Sequence, residues 1–480
     1  MKRKRLSELD RRHATGYVAR LVLAGFLLVA PTDEAASQAD TLRYNLDSAI
    51  RRALEASPEV SAVAARRDFA SARAGLARAS RYLTEFTLTS AHAPAPGLDN
   101  PNGTATDQLF LDPDVRNDWG SLRPFNEVEV EFLQPLYTWG ELDGNIRAAT
   151  SAVVMEDASI RDKEIDVAYR TAELYYGLLL TEALTVVVKD AGDIVEQAKE
   201  EIDRLLQEGA ADVDDADLFQ VLITEQEFKR RVVEVDEKRR TAATALRRQL
   251  FLPDDVTVAV DEVILSQIRL EPETLEWYQE LAMLHRPELE RANAGLAARR
   301  ALVDVARSNY YPKIFLGGRF RAAGTSGRYS QPNPYHGDRL RGTSVEAGLG
   351  VRLGLSFHQT RARVEQARAQ ANEVGFQLDG LRQLILFEVE EAFRGLSIAD
   401  AALTSTHEAY RLSKEWLQME TVNFDLDLGD TENLVKAVRA NLDLQADRYQ
   451  ATYRYNLAAL KLLRSCGMLR QTIDSGILVE

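Results

Sequence analysis

The sequence lacks long apolar segments. The run from Leu21 to Ala30 has ten residues, whereas a helix that crosses a membrane needs roughly 20 consecutive apolar residues. No later segment is apolar enough for such a helix. We therefore expect any contact with a membrane to be made by strands, because a spanning strand needs only about 9–11 residues with alternating faces.

Cysteine is almost absent as well, and this excludes two features. Cys466 is the single cysteine, so no disulfide can form within the chain. No cysteine follows the apolar run, so lipid attachment at a new N-terminus behind that run is excluded. A protein that is exported without disulfides must gain its stability in another way.

The first 39 residues predict a secretory signal peptide. A basic region begins at Lys2, the apolar run follows it, and Pro31 ends that run. Ser37 and Ala39 place small residues at the two positions that a signal peptidase reads. We therefore expect export of the chain, with residues 1–39 removed.

Basic residues are scarce relative to acidic ones. The chain has 59 Lys and Arg against 74 Asp and Glu, a net charge of −15 that removal of residues 1–39 would change to −18. An acidic surface argues against binding nucleic acid. The six histidines are scattered, and no nucleophile–base pair or carboxylate dyad stands out. We therefore predict no enzyme activity, no metal and no cofactor.

The chain contains an internal repeat. Pro58-Glu59 returns 229 positions later as Pro287-Glu288, and a heptad row of apolar residues that begins at Ile146 returns after 218 positions. Self-similarity at a long period is typical of a duplicated unit and argues against two or three unrelated domains. The predicted repeats are residues 40–270, which end in a short irregular linker after residue 250, and residues 271–480, which end in a C-terminal tail.

Each repeat has two strand-like segments. Glu127 to Phe132 alternates strictly between carboxylate and apolar side chains, which is typical of a two-faced strand. The predicted strands are at about 83–92, 126–136, 312–323 and 343–355. The segment between the first two is rich in proline and glycine, and we expect no regular structure there.

Two long hairpins of helices, at residues 140–250 and 358–465, follow the strands. The predicted fold is therefore mainly α with a small β part. Four strands cannot close a membrane barrel, and two hairpins leave open seams. Several copies of the chain must therefore share one ring, with their strands pooled in one barrel and their hairpins in another.

These features together resemble the outer-membrane efflux protein family, the TolC-like channels. The resemblance covers essentially the whole mature chain. It rests on the leader, the paired helix starts at Pro58 and Pro287, and the strand–loop–strand inserts. Residues 134–137, Gln-Pro-Leu-Tyr, are similar to the Pro-Leu-aromatic sequence with which the family leaves the strands for the long helix, and residues 354–357 are a degenerate second copy.

The resemblance implies an assembly and a function. The assembly is a homotrimer, with a 12-stranded β-barrel in the outer membrane of a Gram-negative bacterium and an α-helical barrel in the periplasm. The implied partners are outer-membrane lipid, a periplasmic adaptor (membrane fusion) protein and an inner-membrane pump. The chain would be the exit duct of a tripartite efflux or type I secretion system.

The resemblance also implies where functional residues lie. The periplasmic tips, where the adaptor would dock, contain Gly209, Ala210, Leu428 and Gly429. Where many members have an acidic pair near the second tip, this chain has Asn433 and Lys436. The candidates for the pore and its gate are Asp212, Asp214, Asp215, Asp217, Asp425, Asp427, Asp430, Asn433 and Lys436. The residues expected to face the barrel lumen are Glu127, Glu129, Glu131, Arg319, Arg321 and Arg352.

Two alternatives remain open. A duct for protein or peptide secretion would have nearly the same wall as a duct for small molecules, so the sequence does not choose between them. A non-conducting coiled-coil tether that spans the periplasm is the other alternative. The two-faced strands argue against the tether, because a tether needs no strands that face lipid.

Overall fold

The structure is a computed structural model that describes most of the chain. It describes residues 41–82, 85–99, 116–208, 215–262, 264–270, 273–328, 337–426 and 431–474. The predicted signal peptide, residues 1–39, lies outside the described residues.

Helices make up most of this structure. They are α1 (Leu46–Ala56), α2 (Pro58–Tyr82), α3 (Glu141–Glu208), α4 (Asp215–Gln249), α5 (Leu275–His285), α6 (Pro287–Ser308), α7 (Phe357–Asp425), α8 (Thr431–Ser465) and α9 (Leu469–Asp474). Helices α3 and α7 have 68 and 69 residues, and each is followed by a return helix of 35 residues. At about 1.5 Å per residue, each long helix spans roughly 100 Å. Among the helices of the described ranges, none is long and apolar enough to cross a membrane.

The two helix starts at proline have a common cause. Ser57 and Arg286, which precede the prolines, are extended, with φ of −68° and −70°. A residue before proline avoids the helical region, because the proline ring collides with its backbone. Proline itself is tolerated in the first turn of a helix. The chain therefore bends between α1 and α2, and again between α5 and α6.

Two sheets accompany the helices. The strands are β1 (Thr41–Tyr44), β2 (Glu85–Asp99), β3 (Arg116–Tyr137), β4 (Thr257–Val260), β5 (Lys313–Thr325) and β6 (Gly342–Arg352). Strands β2, β3, β5 and β6 form one antiparallel sheet in that order. Each repeat therefore supplies one hairpin, and β3 pairs with β5 across the two repeats.

The first hairpin extends further than the sequence predicted. Strand β2 continues to Asp99 and β3 begins at Arg116, inside the segment for which we expected no regular structure. Arg328, which is buried, donates hydrogen bonds of 3.0 Å to the carbonyl oxygens of Pro96 and Gly97. The extension is therefore held by an arginine from the other repeat, and local sequence did not reveal it.

The small sheet was missed altogether. Strands β1 and β4 pair in parallel. We expected no strand at β1, and β4 lies in the segment that we expected to be a short irregular linker. The segment from Val256 to Val260, in which four of five residues are β-branched, was the available signal. Val258 and Val260 are buried in the main core, so the sheet closes one side of it.

The main core lies where this small sheet meets the middle of α3 and the C-terminal parts of α4 and α8. Tyr175 and Leu178 of α3, Leu246 of α4 and Leu460 of α8 are fully buried there. Asn456 of α8 is also fully buried, and its side-chain amide bonds the backbone of the linker at Ser266 and Ile268 over 2.8 and 2.9 Å. A buried amide with both groups satisfied fixes the linker against the second hairpin.

Candidate functional site

One face of the four-stranded sheet carries a network of charges. Arg321 Nε lies 2.9 Å from Glu127 Oε1. Arg319 lies between two carboxylates, with its Nε 2.9 Å from Glu129 Oε1 and its Nη2 2.7 Å from Glu131 Oε1. Five of the six residues predicted for the lumen are therefore brought together, because β3 pairs with β5.

The sixth, Arg352, lies on the same face but away from this network. It is directly opposite Lys313, and its guanidinium carbon is 5.3 Å from the centre of the Phe315 ring. This geometry is a cation–π contact. The face is therefore charged in its middle and partly aromatic near the ends of the strands that adjoin the helices.

The opposite face of the sheet is apolar and exposed. Residues directly opposite each other on antiparallel strands share a face, and Val130 is opposite both Leu88 and Phe320. Phe320 is in turn opposite Val345. The exposed large apolar residues of this face include Phe86, Leu88, Val128, Phe320, Val345, Leu349 and Val351. Such a continuous exposed apolar surface is typical of a surface that binds protein or lipid.

Most residues predicted for the tips lie outside the described residues. These are Gly209, Ala210, Asp212, Asp214, Asp427, Leu428, Gly429 and Asp430. Asp215 is the first residue of α4 and is exposed. Asp217 lies in α4 and Asp425 is the last residue of α7, and the side chains of both lie outside the described part of the structure. Asn433 and Lys436 are exposed in the first turns of α8, where Lys436 Nζ pairs with Glu432 Oε1 at 2.6 Å.

The structure adds two contacts between the hairpins that the sequence did not suggest. Arg231 of α4 lies 2.8 Å from Asp443 of α8, and Arg439 of α8 lies 3.3 Å from Glu227 of α4. Exposed pairs of this kind each contribute about 0–1 kcal/mol. The two ion pairs therefore connect the two return helices but contribute little to the stability of the fold.

A partly buried charge cluster lies at the junction of α5 and α6. Arg286 Nη2 is 3.0 Å from Glu288 Oε1 and 2.7 Å from Glu388 Oε2 on α7. Burial raises the pKa of Glu288, although Arg286 opposes this shift. The equivalent residue of the first repeat, Glu59, is bonded by Arg170 over 2.8 Å, and that hydrogen bond lowers its pKa. Equivalent glutamates thus have opposite shifts, which the sequence repeat alone could not reveal.

This contrast predicts opposite pH effects. The pKa of Glu288 is higher in the folded protein than its ordinary 4.5, so its contribution to stability is present below pH 4.5 and is lost as pH rises through the folded-state value. Glu288→Gln should therefore raise the midpoint of thermal unfolding at neutral pH and change it little under acid conditions.

Glu59→Gln is the matched control. The pKa of Glu59 is lowered on folding from its ordinary 4.5. Its contribution to the stability of the fold is therefore present above pH 4.5 and is lost as pH falls through the folded-state pKa. This variant should lower the midpoint at neutral pH, by a small amount because the side chain is half exposed. Changes of the same sign in both variants would contradict the assignment.

Within the part of the chain that the structure describes, no group of three or more His, Cys, Asp or Glu residues could hold a metal ion. The functional surface that the structure shows is a two-faced sheet beside two long helical hairpins.

Residues 278–467 match the family model described as outer membrane efflux protein.

A curated relative matches part of the chain. It is Protein CyaE of Bordetella pertussis, which is 30% identical over 228 residues. The match covers 44% of this chain and 45% of the relative, so the two are aligned over less than half the length of each.

Solved structures match nearly the whole fold. The outer membrane protein VceC of Vibrio cholerae has a TM-score of 0.68 at 17% identity, covering 88% of this chain and 96% of its own. The open state of the MtrE outer membrane channel of Neisseria gonorrhoeae has a TM-score of 0.68 at 14% identity, with 88% and 89% covered. The CmeC outer membrane channel of Campylobacter jejuni has a TM-score of 0.66 at 16% identity, with 90% and 89% covered. At these identities the likeness establishes the fold.

Proposed function

Since residues 278–467 belong to the outer membrane efflux protein family and the chain has the fold of outer-membrane channels, we propose that it is the outer-membrane exit duct of a tripartite efflux or type I secretion system. In this proposal three copies pool their strands in a 12-stranded barrel in the outer membrane. Their helical hairpins form a second barrel in the periplasm, which an adaptor protein joins to an inner-membrane pump.

The two faces of the sheet are the observation that carries this proposal. The charges on one face are partly neutralised by ion pairs between Glu127 and Arg321 and between Arg319 and its two carboxylates. Its apolar face is exposed in the single chain. A barrel that spans a membrane needs an apolar exterior and tolerates a polar interior. The charged face therefore suits a water-filled lumen, and the apolar face suits lipid.

The number of strands supports an assembly of several chains. Strands β2 and β6 are the edges of the sheet. Strand edges with unpaired backbone groups are not tolerated in the hydrocarbon of a membrane. Closing the sheet with the edges of neighbouring copies removes this cost, and three copies would supply the strands of a barrel of ordinary size.

The first test measures assembly and conduction. Chemical cross-linking of the purified protein in mild detergent should give bands that end at three copies, and this trimer should conduct ions across a planar lipid bilayer. A stable monomer in the outer membrane would contradict the proposal. A trimer that leaves the bilayer electrically silent would also contradict it, and would favour the tether.

The second test concerns the tips. Gly429→Val should abolish export while trimer formation and membrane insertion persist, because the sequence predicts a helix C-terminus at Gly429, where a positive φ is common and valine would be strained. Replacing Asp425, Asp427 and Asp430 together by asparagine should weaken preference for cations, since rings of carboxylates select cations. Asp400→Asn, an exposed residue in the middle of α7, is the control and should leave selectivity unchanged. Normal export by the valine variant together with normal selectivity of the triple variant would make the tips passive turns.

The cargo remains to be assigned between small molecules and secreted proteins. A strain that lacks this chain should become sensitive to toxic compounds in the first case. In the second case it should retain a protein that the parent strain secretes. Because the wall of the duct is common to both, this comparison of strains tests the cargo separately from the channel.

A further inference from the structure

A large concavity lies on one side of the helices that adjoin the sheet. Four helices form a wall there in the order α2, α3, α6 and α7. All four line the concavity, whose volume is about 1210 Å³. Because the two outermost helices of the wall line the same space, this space lies on the inner, concave side of the wall.

The concavity continues the charged face of the sheet. Lys313 lies on that face opposite Arg352, and its Nζ is 2.5 Å from Glu141 Oε2 in the first turn of α3. Asn145, one turn later on the same face of α3, lines the concavity. The proposed function assigns the charged face to the lumen of the duct. The concavity therefore belongs to the wall of that lumen.

Arginines without an acidic partner are concentrated in this concavity. Arg66 and Arg73 on α2 and Arg299 on α6 line it and are exposed. Within the described ranges of the chain, none of the three lies within ion-pair distance of a carboxylate, and Arg299 donates only a hydrogen bond of 3.3 Å to the amide of Gln370. In a chain with a net charge of −15, this excess of positive charge is a local feature.

The other charged side chains that line the concavity do not neutralise these arginines. Arg291 lies 3.2 Å from Asp162, and Glu288 lies 3.0 Å from Arg286. Among the described lining residues, Glu156 is the remaining carboxylate. The unpaired charge of the concavity is therefore positive.

Large apolar side chains lie beside these arginines. Phe69 and Leu76 line the concavity and are 65% and 70% exposed. The guanidinium carbon of Arg73 lies 5.8 Å from the centre of the Phe69 ring. Small residues, such as Ala152 of α3 and Gly295 of α6, form the floor between the helices. Positive charge and exposed apolar surface thus share one recess.

We propose that this concavity binds small anionic amphiphiles, which carry a sulfonate or carboxylate group on an apolar ring system, as they pass through the duct. A planar guanidinium group donates two parallel hydrogen bonds to such an oxyanion. The rings of the ligand cover Phe69 and Leu76 and so remove apolar surface from water. Pockets for small ligands commonly have volumes of about 300–1,000 Å³, so the concavity is large enough. The inference rests on the proposed function, because that function opens the concavity to a water-filled duct.

The experiment measures binding of naphthalene-1-sulfonate to the purified trimer in nanodiscs of phosphatidylcholine, by equilibrium dialysis with empty nanodiscs as the blank. The neutral probe naphthalene-1-methanol has the same rings. The unmodified chain should bind the sulfonate at least about tenfold more tightly than the alcohol, because hydrogen bonds between charged groups are stronger than neutral ones. Arg66→Gln/Arg73→Gln/Arg299→Gln should lose this preference and bind the alcohol as before.

Arg300→Gln/Arg307→Gln/Arg368→Gln is the matched control. These three arginines line a separate groove between α6 and α7, so the same number of charges is removed from the same wall. Sulfonate binding should be unchanged in this control. Equal weakening by the two triple variants, or equal affinity of the unmodified chain for the two probes, would overturn the inference. Loss of the trimer in the first variant would also overturn it, because its arginines would then face a neighbouring copy.

Conduction by the unmodified chain separates this inference from the proposed function. The preparation used for dialysis is also inserted into a planar lipid bilayer. If the trimer conducts ions but does not prefer the sulfonate, the inference fails and the channel proposal stands. If the trimer does not conduct, the proposed function fails and the inference fails with it.

Discussion

Arginine in place of Val130 is expected to prevent most of the protein from assembling in the outer membrane. Val130 lies on the apolar face between Leu88 and Phe320. If that face meets lipid, a charged side chain near the middle of the membrane costs about 2–4 kcal/mol. The amount of trimer recovered from outer-membrane fractions, relative to the unmodified chain, measures this effect.

The matched control is Thr89→Arg. Thr89 lies on the adjacent strand, directly opposite Glu129 on the charged face. An arginine there would face carboxylates and water, so assembly should stay close to normal. Glu129→Arg is less suitable, because Glu129 already lies 2.9 Å from Arg319 and opposite Arg321. Equal losses in the valine and threonine variants would show that the two faces are assigned wrongly.

Gly467→Ala should destabilise the helical part severely. Gly467 ends α8 with a φ of 76°, and the backbone N–H groups of Gly467 and Met468 donate to the carbonyl oxygens of Arg464 and Leu463. This is a Schellman motif. A side chain at a left-handed residue costs about 1–3 kcal/mol. An added Cβ would also lie 2.9 Å from the backbone of His285, which must then move. A lowered midpoint of thermal unfolding in detergent measures the loss.

The first repeat shows whether the positive φ or the contact with the backbone of His285 causes most of this loss. Helix α4 ends in the same motif at Phe251, whose φ is 53°. The positive φ alone is therefore tolerated, and the backbone of His285 behind Gly467 makes the difference.

Gly192→Ala, in the middle of α3, is the control for Gly467→Ala. No atom lies within 4 Å of its added Cβ, and alanine in a helix interior is favoured over glycine by about 1 kcal/mol. A midpoint for Gly467→Ala equal to that of this control would contradict the prediction.

The internal repeat and the periodicity of the apolar residues were sufficient to predict the architecture. The change from alternating residues to a heptad row placed strands before long helices, and the two prolines at 58 and 287 placed helix starts. The fold class predicted from these signals is confirmed by the solved structures, and residues 278–467 match the model of the predicted family. The residues assigned to the tips and to the lumen stay predictions.

Other features could not be predicted because they depend on residues distant in sequence. The extension of the first hairpin is held by Arg328, more than two hundred residues away. Strand β4 is paired with β1 from the start of the described chain. Tyr137 is placed opposite Ile314, on the apolar face of the sheet, by a register shift between β3 and β5. No local propensity contains this information.

The sequence by itself determined the helices, the alternating strands and the duplication, because each follows from residues close together in the chain. Only the tertiary structure decided how the two copies differ. Glu59 and Glu288 occupy equivalent places in the repeat, but Glu59 is bonded at the surface by Arg170, whereas Glu288 is largely buried beside Arg286. Phe251 and Gly467 end equivalent helices, but the side chain of Phe251 is exposed, whereas a Cβ at Gly467 would meet the backbone of a neighbouring helix. Burial and charge partners arise from packing between distant segments, so equivalent residues acquire different energies.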